Sequence, residues 1–132
     1  MKILIISSSP RKGGNSDVLC DQFAKGATEN GHEVEKISLR EKKISPCIAC
    51  YGCMKEHICS INDDMSDIFP KLAGADVIVL SSPVYFYSLT AQMKLLIDRC
   101  LVNHKIIADK QFYFIITAAD PQHEAAEGTL MA

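Results

Sequence analysis

Ile3-Leu4-Ile5-Ile6-Ser7-Ser8-Ser9-Pro10-Arg11-Lys12-Gly13-Gly14-Asn15-Ser16 is the stretch whose reading decides the fold. Its apolar run reads as a buried strand. A loop of hydroxyls, glycines and an amide follows, and an amphipathic helix sets in at Asp17. A strand that empties through such a loop into a helix aims backbone N–H groups and the positive end of a helix dipole at one point, which suits a phosphate. In a parallel sheet this loop lies at the carboxyl edge, where open α/β sheets bind their ligands. Neither the nucleotide P-loop pattern nor the dinucleotide pattern G-x-G-x-x-G is present, since Gly13-Gly14 is the only close pair and no Lys-Ser/Thr follows it. Taken alone, the same residues also suit a solvated turn that binds nothing.

Working outward, strands and helices alternate. Met1 to Ser8 is the first strand. The first helix runs from Ser16, as N-cap, to Asn30, with Leu19, Phe23 and Ala27 on one face and Gly31 just beyond its end. Glu33 to Leu39 alternates apolar and charged residues as a second strand, and an irregular stretch from Arg40 to Asn62 follows. A second helix comes after Asp63-Asp64 with Met65, Ile68, Phe69 and Leu72 inward. Pro70 predicts that it begins near Ser66. Asp76 to Ser81 is a continuous apolar run, hence a central strand covered on both faces. Leu89, Met93, Leu96, Ile97, Cys100 and Leu101 mark a third helix, Gln111 to Thr117 a fourth strand, and Pro121 onward a last helix. The pattern predicts an α/β protein with a doubly wound parallel sheet, one domain over residues 1–132. The last helix has no capping signal at Ala132, which predicts a C-terminally incomplete domain lacking a further strand and helix.

Apolar residues make up 48% of the chain and charged ones 23%, ordinary values for a globular protein. A net charge of −2 offers nothing to draw nucleic acid or an anionic membrane. No segment approaches the roughly 20 apolar residues that span a bilayer, and the N-terminal run breaks into Ser-Pro-Arg instead of a small-residue cleavage site. These features predict a cytoplasmic protein. In that compartment six cysteines are not a disulfide framework. Cys20 and Cys100 stand alone in helical patterns and read as small buried apolar residues.

A second loop follows the third strand: Ser81-Ser82-Pro83-Val84-Tyr85-Phe86-Tyr87-Ser88. Three aromatics beside the phosphate loop offer a flat apolar wall to a planar ring system. The fourth strand ends in Thr117-Ala118-Ala119-Asp120, small residues that permit close backbone approach. Phosphate cradle, aromatic wall and third small-residue loop together describe a site for flavin mononucleotide (FMN).

On these residues the chain resembles the flavodoxin-like NADPH-dependent FMN reductase family. The resemblance is carried by Ser9-Pro10-Arg11-Lys12-Gly13-Gly14-Asn15-Ser16, by Pro83-Val84-Tyr85-Phe86 and by Thr90-Ala91-Gln92-Met93-Lys94. It implies that Ser9, Arg11, Asn15 and Ser16 hold the FMN phosphate, with Lys12 and Gly14 in the same cofactor-binding loop. It further implies that Pro83, Val84, Tyr85 and Phe86 flank the isoalloxazine, and that Thr117, Ala118 and Ala119 approach it from the third loop. Family members have a fifth strand and a final helix, and they commonly dimerise.

Cys47, Cys50, Cys53 and Cys59 form the compact run C-x2-C-x2-C-x5-C. Four thiolates so spaced can wrap one [4Fe–4S] cubane. Zinc more often takes two separated pairs, and free or redox-active thiols are the third reading. The run resembles that of iron–sulfur flavoproteins, a branch of the same family, while His57 reads as a lone surface residue. The expected function is an FMN-dependent oxidoreductase that takes electrons from NAD(P)H as substrate and passes them to a small-molecule or ferredoxin-like acceptor. The flavin carries the chemistry, so no side-chain acid or base is called for. Two alternatives stand beside it: an iron–sulfur flavoprotein electron carrier, and a thiol or metal redox-sensing module that is not an enzyme.

Overall fold

A computed structural model of the chain describes residues 1–119. The chain runs β1 (Lys2–Ser7), α1 (Asn15–Glu29), β2 (Glu33–Ser38), a short 3-10 turn (Leu39–Glu41), α2 (Cys53–Glu56), α3 (Met65–Gly74), β3 (Val77–Pro83), α4 (Ala91–Arg99), a 3-10 turn (Cys100–Asn103), α5 (Lys105–Ala108) and β4 (Gln111–Thr117). All strand pairs are parallel, in the order β2-β1-β3-β4. The order reverses direction at β1, so the switch point of this doubly wound sheet lies between β1 and β3.

Side chains alternate across the sheet and feed two cores. Leu4, Ile6 and Ile78 join Ile68, Leu72, Met93 and Leu96 of α3 and α4 on one face. On the other, Ile3, Ile5, Val77 and Val79 pack against Cys20, Phe23 and Ala27 of α1. β1 and β3 are buried along nearly their whole length, as continuous apolar runs require. β2 and β4 lie at the sheet's edges, and Phe112, Tyr113 and Phe114 of β4 are exposed.

Several element ends differ from the sequence-based expectation. The α1 helix begins at Asn15 with Gly14 as N-cap, and Ser16 is not a cap: it is buried in the first turn. At the other end Gly31 behaves as expected, at φ +78°. Its N–H donates to Thr28 O and that of His32 donates to Ala27 O, which closes a Schellman motif.

The α3 helix starts at Met65 instead of Ser66, with Pro70 inside it. An interior proline costs about 3 kcal/mol. Burial of Ile68 and Leu72 offsets it at about 1.5–3 kcal/mol each. β3 runs on to Pro83, two residues past the expected end, because Ser82 and Pro83 still pair with Ile116 and Thr117. The third helix spans Ala91–Arg99, so Leu89 precedes it and Cys100 and Leu101, expected within it, lie in the 3-10 turn that follows; α5 had no clear signal in the sequence. The helix expected from Pro121 lies outside the described residues.

Candidate functional site

The three loops predicted to form one site meet at the carboxyl edge of β1, β3 and β4. Ser8 donates from both its N–H and its Oγ to Ser81 O, each at 2.9 Å. Thr90 caps α4 by accepting from Met93 N–H, and its own hydroxyl donates to Ser8 Oγ at 2.8 Å. Thr90 N–H in turn donates to Ser82 Oγ at 3.0 Å. Val84 N–H donates to Thr117 O at 2.8 Å, and the hydroxyls of Ser16 and Thr117 lie 2.6 Å apart. A net of buried hydroxyls thus ties the first loop to the second and third.

Within the first loop, Arg11, Lys12 and Asn15 are exposed, while Ser9 and Ser16 are buried. Ser9 Oγ donates to Arg11 O at 3.0 Å, so this hydroxyl braces the turn instead of facing outward. Gly13 sits at φ +67°, a conformation that glycine adopts without penalty. The residue that organises the loop is one that the sequence reading passed over. Asp17, at the third position of α1, reaches back to accept the Gly13 N–H at 2.9 Å. Lys36 Nζ lies 2.6 Å from its other oxygen, Oδ1, and Arg40 Nη1 lies 3.6 Å from Oδ2. The hydrogen bond from Lys36 holds the Asp17 carboxyl below its ordinary pKa against the opposing effect of burial. An acid three residues after a helix-opening glycine was the available signal.

The second loop is a two-residue hairpin. Tyr85 and Ser88 exchange hydrogen bonds at 2.9 and 3.2 Å, and the central Phe86 and Tyr87 take φ of +48° and +62°. Bulky residues pay about 1–3 kcal/mol each for such a backbone, which normally belongs to Asn-Gly. Phe86 is 96% exposed and meets the edge of Tyr87. These rings are therefore not core packing: they are exposed on the loop that follows β3. Pro83 belongs to the strand end, Val84 is half-buried below the hairpin, and Ala118 and Ala119 are exposed beyond β4.

The cysteine loop leaves the carboxyl end of β2 and returns at α3. Cys47 and Cys50 are exposed, Cys53 and Cys59 half-buried. Among the described residues no three Cys, His, Asp or Glu side chains converge at metal-binding separation. Cys50 Sγ lies 3.4 Å from Ser60 Oγ, and this hydrogen bond draws the thiol pKa below its ordinary value. Cys59 Sγ instead accepts from Arg99 Nη2 at 3.4 Å. The four sulfurs are an apt donor set for iron, and only one helical turn, α2, interrupts the irregular backbone between residues 42 and 62. His57 is exposed, and its Nδ1 lies 3.1 Å from Val102 O.

The family model for NADPH-dependent FMN reductase matches residues 1–129. The chain belongs to this family. An iron–sulfur flavoprotein of Methanocaldococcus jannaschii is 46% identical over 99 residues, which cover 75% of this chain and 51% of the relative. Another, from Methanosarcina thermophila, is 38% identical over 102 residues, 77% of this chain and 53% of the relative. The chain thus spans about half the length of the curated relatives it matches. An NAD(P)H:quinone oxidoreductase from Methanothermobacter marburgensis superposes with a TM-score of 0.77 at 18% identity, over 98% of this chain and 70% of that one, and shows the shared fold. Among the described residues no helix is long and apolar enough to cross a membrane.

Proposed function

We propose that the chain forms, as one domain, the FMN-binding part of a cytoplasmic NAD(P)H-dependent oxidoreductase that hands electrons to a small-molecule or ferredoxin-like acceptor. The observation that carries this reading is the hydroxyl net that ties three loops around one crevice at the switch point. The donors in reach fit the cofactor: loop N–H groups and the α1 N-terminus for the phosphate, with Arg11, Lys12 and Asn15 exposed beside them. FMN bound there supplies hydride acceptance and one- or two-electron release. The protein's share is to hold the phosphate with Arg11, Lys12, Gly14 and Asn15 and with the backbone N–H groups of Ser9 and Ser16, whose hydroxyls are engaged within the protein. It flanks the ring with Pro83, Val84, Tyr85 and Phe86, and closes the third side with Thr117, Ala118 and Ala119. Exposed Ile48, Tyr51, Met54, Ile58 and Phe86 favour association with a second copy.

A second reading adds a [4Fe–4S] cluster held by Cys47, Cys50, Cys53 and Cys59. Two things favour it: the relatives named iron–sulfur flavoproteins, and the contact that Cys59 makes with the buried Arg99. The decisive experiment is the absorption spectrum of protein purified without oxygen, before and after dithionite, with Asn15→Asp alongside. Flavin bands that bleach cleanly support the plain oxidoreductase. Flavin bands on a broad brown shoulder that also bleaches support the cluster. Asn15→Asp sets a carboxylate against the phosphate and is expected to lose flavin. A colourless protein that cannot be reconstituted with FMN refutes the proposal.

A further inference from the structure

Arg99, at the end of α4, is the most deeply buried cation among the described residues, with its side chain 1% exposed. It makes a bidentate pair with Asp63, Nη1 to Oδ2 at 2.6 Å and Nη2 to Oδ1 at 3.1 Å. Nη1 also donates to Ser45 O at 2.9 Å, and Nη2 to Ile61 O and to Cys59 Sγ, both at 3.4 Å. Asp63 in turn accepts from the N–H groups of Ser45 and Met65 at 2.8 and 3.1 Å. One ion pair therefore grips both feet of the cysteine loop, Ser45 on the entering side and Cys59, Ile61 and Asp63 on the returning side.

A buried ion pair is an expensive way to fasten a loop, because apolar residues of similar volume often do as well or better. What an apolar pair cannot supply is an N–H aimed at a sulfur. Asp63 already balances the guanidinium charge, and the N–H to Cys59 is the feature that loop closure alone leaves unexplained. A cavity of about 260 Å³, lined by His57, Ile58, Cys59, Ile61, Arg99 and Val102 among others, opens beside the same sulfur.

We propose that Arg99 is a positioning residue for an iron–sulfur cluster at this loop: it fixes Cys59 as the anchored ligand and hydrogen-bonds its sulfur. This rests on the cluster reading given above. Cys47, Cys50 and Cys53 would supply the other three ligands from the same loop. An N–H donated to a ligand sulfur favours the more negative, reduced state, so it raises the cluster's reduction potential.

The test uses the full chain as wild type, Arg99→Lys and Arg99→Met, each reconstituted anaerobically with ferrous iron and sulfide. Iron and sulfide per chain, retention against a chelator, and the cluster's midpoint potential by redox titration are measured, with circular dichroism to follow folding. Wild type is expected to take up iron and sulfide in equal amounts. Arg99→Lys keeps the charge but lacks the fork. It is expected to hold iron roughly tenfold less tightly, the usual effect of losing an outer-shell partner, and to show a lower potential. Arg99→Met is expected to lose still more. Wild type that takes up no iron overturns the cluster reading, and this inference with it. Wild type that loads normally, with a folded Arg99→Lys of the same retention and potential, overturns the role of Arg99 alone.

Discussion

The hydroxyls of Ser16 and Thr117 lie 2.6 Å apart although 101 residues separate them in the chain. This contact ties the first loop to the third, because it joins the first turn of α1 to the last residue of β4. Thr117→Val keeps the shape and leaves the buried Ser16 hydroxyl without this partner, at a cost of about 1–3 kcal/mol. Urea unfolding is expected to show the lower midpoint, and FMN affinity is expected to fall in parallel. Unchanged values for both would mean that the two loops hold their places without the bond.

The hairpin trades stability for an exposed ring. Phe86 buries almost nothing and pays for its positive φ. Phe86→Asn, which tolerates that backbone, is expected to stabilise the apoprotein by about 1 kcal/mol. The same change removes part of the aromatic wall, so flavin retention is expected to drop. A variant that is more stable and binds FMN as before would remove Phe86 from the site.

Asp17 makes the loop between β1 and α1 acid-sensitive. Its carboxyl is held below the ordinary value of 3.8 in the folded chain, so its contribution is complete above that pH and is lost as pH falls through the depressed folded value. Lys36 runs the other way. Burial opposes its charge, but its bonds to Asp17 and Asp21 outweigh this and raise its pKa above 10.5. Its contribution is therefore lost only as pH rises beyond that value. Stability measured against pH is expected to fall at both ends, and Asp17→Asn to flatten the slope at the acid end. An acid slope identical in the variant would assign the transition to other carboxyls.

The cysteines of the metal-free chain are expected to differ widely in reactivity toward iodoacetamide at neutral pH. Burial pushes the Cys100 thiol up to about 12, and burial likewise raises that of Cys20. The exposed Cys50 thiol is drawn down by its bond with Ser60. Since the thiolate is the nucleophile, peptide mass spectrometry is expected to find Cys50 modified early and Cys20 and Cys100 last. Cys100 modified as fast as Cys50 would show that α4 and the turn after it open readily.

The sequence by itself determined the strand–loop–helix opening, the parallel sheet with its two buried central strands, and the three loops at its carboxyl edge. These follow from local pattern: continuous apolar runs, turn residues and helical spacing act over a few neighbouring residues. Only the tertiary structure decided what each polar side chain does. Ser16 reads locally as a cap, yet the approach of Thr117 turns it inward. Asp17, Lys36 and Arg40 carry no local signal of partnership and meet only because β2 and the turn after it pack beside α1. Arg99 has no partner near it in the sequence, and is a buried clamp because Ser45, Cys59 and Asp63 are folded onto it from a loop more than thirty residues away. Burial and partnership are set by contacts distant in sequence, and for a charged side chain those contacts decide whether it faces water or holds a site together.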